Sequence, residues 1–168
     1  MMDQTPLLVL TIGGTIDKIY SDALSAFTTG ESEFPRLAEQ VGLQCPYRLE
    51  SVLSKDSLEM TDDDRALLRE RVAGASESRV LVTHGTDTMT DTARALAPLP
   101  DRTIVLTGAM QPSRMRESDA AFNVGFALGV LQTLPPGVYI AMHGRVFSPD
   151  AVRKNRAAGR FEGSSEGH

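Results

Sequence analysis

Short apolar runs alternate with stretches of helical period along nearly the whole chain. Residues 7–12, 48–53, 80–83, 103–107 and 138–142 are rich in β-branched and aliphatic side chains, and several are apolar throughout, as strands covered on both faces must be. The stretches between them carry helix start and stop signals. Thr61 with Asp64 opens a segment that sets Leu68 and Val72 on one stripe before Gly74 closes it. Another begins near Thr88, aligns Met89, Ala93 and Leu96, and stops before Pro98. Ser118 can cap a third, in which Ala121, Val124, Leu128 and Leu131 recur at helical spacing, and Phe34–Val41 makes a shorter helix ended by Gly42. This alternation predicts right-handed crossovers and an open three-layer α/β fold of flavodoxin or Rossmann type, mostly parallel, with ligands entering at the carboxyl ends of the strands.

Residues 17–30 break the pattern. They have no clear period and many small polar side chains around Tyr20 and Gly30, which predicts a mobile flap or hairpin over the crevice. No linker or repeat divides the chain, so residues 1–168 are expected to form one domain, with 163–168 frayed. A chain of 168 residues suits that reading, because a domain of this size buries roughly 68–70% of its unfolded surface.

Composition narrows the partners. A formal net charge of −5 disfavours nucleic acid and anionic membranes, which need a basic surface. The basic residues that gather late, Arg145, Arg153, Lys154, Arg156 and Arg160, read on composition as a solvated face. The opening Met-Met-Asp-Gln-Thr-Pro has no basic region, and residues 7–12 are too short for a signal h-region or a membrane span. Cys45 is the single cysteine, so an intrachain disulfide is impossible and a reducing, cytoplasmic location is expected.

Several chemistries lack their motifs. There is no Gly-x-x-x-x-Gly-Lys-Ser/Thr or Gly-x-Gly-x-x-Gly, and no Gly-x-Ser-x-Gly elbow, since the string of that form at 163–167 falls in the closing segment expected to fray. Three histidines and one cysteine, widely separated, give no metal-ligand spacing. His84 and His143 follow apolar strands and read as hydrogen-bonded structural imidazoles. What remains is hydroxyl chemistry at two strand ends, Thr11-Ile12-Gly13-Gly14-Thr15-Ile16 and Thr83-His84-Gly85-Thr86-Asp87-Thr88. The paired glycines can let backbone approach a ligand and aim Thr15 into the crevice. A turn followed by a helix cap would use the same residues, and Thr86, Asp87 and Thr88 share that ambiguity.

Taken in order, these two motifs, Asp56-Ser57-Leu58-Glu59-Met60 and Thr107-Gly108-Ala109-Met110-Gln111-Pro112-Ser113 resemble the bacterial-type L-asparaginases. The likeness runs over residues 7–160 and covers the family's amino-terminal domain, so the chain looks like a short form without the carboxyl-terminal one. It implies hydrolysis of L-asparagine to L-aspartate and ammonia, without cofactor or metal, through an acyl-threonine intermediate. Thr15 would be the nucleophile and Tyr20 its activator. Thr86, Asp87 and a lysine would form the second group, with the Thr86 N–H as oxyanion donor. Gly14, Asp56, Ser57, Leu58, Glu59 and Gly85 would surround the substrate, and a homo-oligomer, dimer or tetramer, is implied.

The sequence departs from the family in three places. Asp150-Ala151-Val152-Arg153-Lys154-Asn155 resembles Asp-Val-Thr-Lys-Thr-Asn, and ungapped alignment puts Arg153 at the lysine. Lys154 is the expected residue, since a desolvated lysine can lose its proton and a guanidinium effectively cannot. Leu58 stands where the family has glutamine, leaving Ser57 for the α-carboxylate and Asp56, Glu59 and Asp87 for the α-ammonium. The neighbouring subunit's carboxyl-terminal domain, with its glutamate, has no counterpart. A catalytically silent amino-acid-binding module on the same fold is the rival reading, and a receiver or nucleotide-binding domain rests on fold analogy alone.

Overall fold

The computed structural model describes residues 5–97, 99 and 101–164. Five parallel strands, β1 (Leu7–Gly13), β4 (Tyr47–Lys55), β5 (Arg79–Thr83), β6 (Thr103–Thr107) and β7 (Gly137–Met142), join antiparallel β8 (Arg145–Phe147) in the order β4-β1-β5-β6-β7-β8. The central strands are buried along their length, which is why their sequences carry little alternation.

Side-chain alternation splits the core into two halves. Leu8, Leu10, Val80, Val82, Ile104 and Leu106 face α2 (Asp62–Gly74) and α3 (Met89–Leu96), whereas Leu7, Val9, Leu81 and Val105 face α1 (Phe34–Val41) and α4 (Ala120–Thr133). The fold is therefore a three-layer α/β sandwich. The helices begin where their signals lie. Thr61 Oγ1 accepts from the Asp64 N–H while the Asp64 carboxylate accepts from the Thr61 N–H, a reciprocal cap. Gly42, at φ 61°, ends α1 in the left-handed conformation that glycine adopts without penalty. Ser118 accepts from the Ala120 N–H at 3.1 Å, with Asp119 at the N-cap position itself. Ala121 lies outside the buried stripe, which Ala120, Val124, Ala127, Leu128 and Leu131 form.

Residues 17–30 contain an antiparallel hairpin, β2 (Lys18–Ser21) and β3 (Ala26–Thr29), registered Lys18 to Thr29 and Tyr20 to Phe27. A second hairpin, β9 (Val152–Asn155) and β10 (Arg160–Gly163), was not expected. Its strands are mostly charged and have no apolar period, and it is held by buried Val152 and Phe161. Gly163 and Ser164, expected to fray, are tied down, the latter through its N–H to the Ala151 carbonyl at 3.0 Å; residues 165–168 lie outside the described ones. Thr11, Thr83 and Thr107 form a row across the strand ends. The Thr83 hydroxyl is buried without a hydrogen-bond partner, alone in this among the side-chain polar atoms of the described residues.

Candidate active site

The loops after β1 and β5 meet at two glycines. Gly13 and Gly14 leave β1 at φ 105° and 87°, and a Cβ on Gly14 would lie 2.4 Å from the backbone of Gly85. A Cβ on Gly85 would in turn lie 2.6 Å from Ser57. Only bare backbone lets the three loops close on one another. This contact sets Thr15 beside the segment that carries Thr86 and Asp87.

Thr15 opens a 3₁₀ turn, Thr15–Asp17, whose N-cap is Gly14 and which has no side-chain cap. The half-buried Thr15 hydroxyl makes no hydrogen bond among the described residues. Thr88, at the N-cap of α3, does not cap it either; its hydroxyl donates to the Ser57 carbonyl at 2.7 Å and its N–H to Ser57 Oγ at 3.3 Å. The turn-and-cap alternative for both threonine motifs is thus not what the side chains do. Ser57 itself is buried and ties the two loops together.

Lys154 reaches in from β9. Its Nζ donates to Thr86 Oγ1 at 2.7 Å and to Asp87 Oδ1 at 2.8 Å. Arg153 projects from the opposite face of the strand, as alternation requires, and pairs with Glu162 at 3.4 Å. Arg156, read from composition as part of a solvated face, also approaches Asp87 Oδ1, at 3.2 Å. Across the site Lys18 pairs with Asp56 at 3.1 Å. The Asp56 carboxyl is held below the usual range by the Leu58 N–H first, then by Lys18, with a further contribution from the Lys154 charge. Two ion-paired groups therefore stand in the site, Lys18 with Asp56 and the cations Lys154 and Arg156 with Asp87.

The other expected residues divide. The Thr86 N–H has no partner among the described residues, as an oxyanion donor requires. Leu58 is 62% exposed on the 3₁₀ turn Ser57–Glu59, and Glu59 is exposed beside it. Tyr20 is 55% exposed, its ring edge-on to Phe27 at 5.5 Å, and its phenol is not hydrogen-bonded to Thr15. Among the described residues no cluster of three or more His, Cys, Asp or Glu could hold a metal, and no helix is long and apolar enough to cross a membrane.

His84 is the hydrogen-bonded structural imidazole that the sequence suggested, whereas the part played by Asp17 escaped sequence reasoning. His84 is fully buried, its Nδ1 2.6 Å from the Gly85 carbonyl and its Nε2 2.8 Å from Thr92 Oγ1. Because a carbonyl only accepts, Nδ1 carries the proton and Nε2 accepts from the threonine. Burial pushes this imidazole down to about 4, so it is neutral and fixes the peptide that presents the Thr86 N–H. Asp17, two residues beyond Thr15, is buried; its Oδ1 accepts from the Glu33 N–H at 2.9 Å and its carbonyl from the Gly30 N–H at 2.9 Å. It joins the turn that Thr15 opens to both ends of the β2–β3 hairpin. Burial, with the Glu33 charge nearby, pushes its carboxyl up to about 7. Helical and strand periodicity carry no trace of the Asp17 role. A shallow apolar groove of about 70 Å³ between α1 and α4, lined by Phe34, Leu37, Val124 and Leu128 among others, contains none of these groups.

The fold and the two threonine loops at its strand ends can be set beside known proteins. Residues 6–163 match the asparaginase amino-terminal family, and the chain belongs to it. The L-asparaginase of Thermococcus kodakarensis is 31% identical over 166 residues, covering 91% of this chain and 48% of that protein. Its solved structure superposes with a TM-score of 0.82 at 25% identity, over 95% of this chain and 51% of that one. A glutamyl-tRNA(Gln) amidotransferase subunit of Pyrobaculum aerophilum is 39% identical over 103 residues, 56% of this chain and 24% of that protein. The chain spans about half the length, or less, of the curated relatives it matches.

Proposed function

We propose that this chain is an amidohydrolase that converts L-asparagine to L-aspartate and ammonia. The observation that carries the reading is the unbonded Thr15 hydroxyl beside a Thr86–Lys154–Asp87 cluster held at 2.7 and 2.8 Å. Thr15 Oγ attacks the side-chain amide carbon, a C–O bond forms as the C–N bond breaks, and the hydroxyl proton leaves with ammonia. Water held by Thr86, whose hydroxyl Lys154 orients, then adds to the ester carbon; Thr15 recovers its proton and aspartate departs. The free Thr86 N–H donates to the developing oxyanion. Tyr20 assists only once its hairpin bends towards Thr15, so closure precedes chemistry.

The test is ammonia release from purified protein. Turnover of asparagine that disappears in Thr15→Val, with folding retained, supports the reading. The exposed, unbonded Tyr20 phenol favours the rival, a silent amino-acid-binding module, which binds aspartate or asparagine and releases no ammonia. Similarity to part of an amidotransferase as well as to an asparaginase makes the amide, rather than the amino acid that carries it, the firmer part of the proposal.

A further inference from the structure

Arg65 is a cation turned inward. Its side chain is 12% exposed, and its ion pair with Asp62 is long at 3.4 Å, to a carboxylate that is fully exposed. Such a pair contributes little, whereas drawing a guanidinium out of water is costly. What it meets inside is Thr92, to whose Oγ1 the Arg65 Nε–H donates at 3.2 Å. Thr92 is wholly buried within α3. A threonine inside a helix often returns its hydroxyl to the carbonyl four residues back, but here Oγ1 lies 2.8 Å from His84 Nε2.

Chemistry fixes the direction of every bond in this run. A guanidinium only donates, a carbonyl only accepts, and burial keeps the imidazole neutral. Arg65 therefore gives a proton to Thr92, Thr92 gives its own to His84 Nε2, and His84 Nδ1 donates to the Gly85 carbonyl at 2.6 Å. That carbonyl belongs to the planar peptide joining Gly85 to Thr86, whose C=O and N–H point in opposite directions. Holding one edge aims the other. The backbone before it is also held, since the His84 N–H donates to the Thr107 carbonyl at 2.9 Å and a Cβ on Gly108 would lie 2.2 Å from the His84 carbonyl oxygen.

We infer that Arg65 and Thr92 are positioning residues for the oxyanion donor: through His84 they lock the Gly85–Thr86 peptide with its N–H turned towards the substrate carbonyl, and the cation at the far end polarises that N–H. This rests on the amidohydrolase reading above. Hydrogen bonds aligned head to tail in a dry interior strengthen one another. As negative charge grows on the substrate oxygen, the aligned run leads from it back to a positive charge on α2, with no group needing to reorient. The simpler alternative is that Arg65 only ties α2 to α3, as Arg69 does by donating to the Ala95 carbonyl at 2.9 Å.

The test is steady-state ammonia release from L-asparagine by the intact chain and a set of variants. Thr92→Val keeps the shape and loses the hydroxyl; it is expected to lower kcat by ~10-fold, part of the ~10²–10³ that removing an oxyanion donor outright costs, with KM within ~2-fold of the parent. Thr92→Ser loses a methyl and keeps the hydroxyl, and should stay within ~3-fold of the parent in kcat. A packing role would reverse that order. Arg65→Met should lower kcat by ~3-fold, and the double variant with Thr92→Val should fall no further than Thr92→Val alone, because Arg65 acts through that hydroxyl. Arg69→Met should match the parent. Thr92→Ser more damaging than Thr92→Val, or Arg65→Met and Arg69→Met alike, overturns the inference and leaves the amidohydrolase reading standing. If the parent releases no ammonia, that reading falls, and NMR of the backbone amides decides the rest: a Thr86 amide resonance displaced in Thr92→Val and Arg65→Met but not in Thr92→Ser or Arg69→Met upholds the lock on this peptide, while any other pattern overturns it.

Discussion

Arg153 and Lys154 are adjacent in sequence and point to opposite sides of one strand, so a single step along the chain separates a Glu162 partner from the Thr86–Asp87 pair. Lys154→Met is therefore expected to cripple turnover, whereas Arg153→Met stays near the parent; single-turnover acylation and deacylation rates check this, and the reverse order would mean that the ungapped family alignment names the right residue. Thr15→Val should lower turnover by at least ~10³-fold with unfolding unchanged, and near-normal ammonia release would sink the assignment. The lysine was legible because its chemistry, not its spacing, singled it out. Arg156 was not, since composition cannot tell a cation aimed at a carboxylate from one aimed at water. Asp17 gives a pH prediction. With its carboxyl raised to about 7, the folded chain holds a proton that the unfolded chain has released, so this contribution to stability is full below about pH 4 and lost as pH rises to 7. His84, lowered to about 4, works in the other direction, losing its contribution as pH falls from about 6.5 to 4. Asp17→Asn keeps an acceptor for the Glu33 N–H and should raise stability at pH 8 by roughly 2–4 kcal/mol. Urea unfolding from pH 4 to 8 should then lose its falling limb and keep the rising one, to which His84 contributes.

Elements come next, and here the glycines decide. Gly14 combines φ 87° with a site where a Cβ would strike Gly85 at 2.4 Å, so Gly14→Ala must move two strand-end loops apart or twist its own backbone. A loss of about 2–4 kcal/mol is expected, together with a turnover loss larger than the stability change explains; urea titration beside ammonia release separates the two. The strands and helices that build the sheet were readable because burial on both faces, a reciprocal cap and a left-handed glycine each leave a mark in residue type. The β9–β10 hairpin leaves none. Its four-residue strands take their place from Val152 and Phe161 packing against distant parts of the core, which no local pattern encodes. The β2–β3 hairpin is intermediate: its lack of period marked it out, but nothing in the sequence said that Lys18 would pair with Asp56.

For the molecule as a whole, topology sets what the loops can do. The site gathers at the carboxyl ends of β1, β5 and the strands beside them, where a parallel sheet leaves its loops free to converge. In the proposed reaction Asp56, Ser57 and Asp87 would anchor the α-carbon groups and so set how far an amide can extend towards Thr15. Glutamine, one methylene longer, should be hydrolysed much more slowly than asparagine, by ~10²-fold if the reacting carbon shifts by about 1 Å; equal kcat/KM for the two would contradict the geometry. The family could be read from four short motifs, but how their charges neutralise one another could not, because pairing depends on the meeting of four separate segments. The row of threonines at the strand ends carries a last consequence. A buried hydroxyl with no partner, that of Thr83, forfeits about 1–3 kcal/mol relative to an apolar group of the same shape. Thr83→Val should therefore raise the melting temperature, read by calorimetry. If turnover falls as it does so, the chain has kept heat tolerance in reserve one residue ahead of His84, where a laboratory seeking a hardier catalyst would look first and lose most activity.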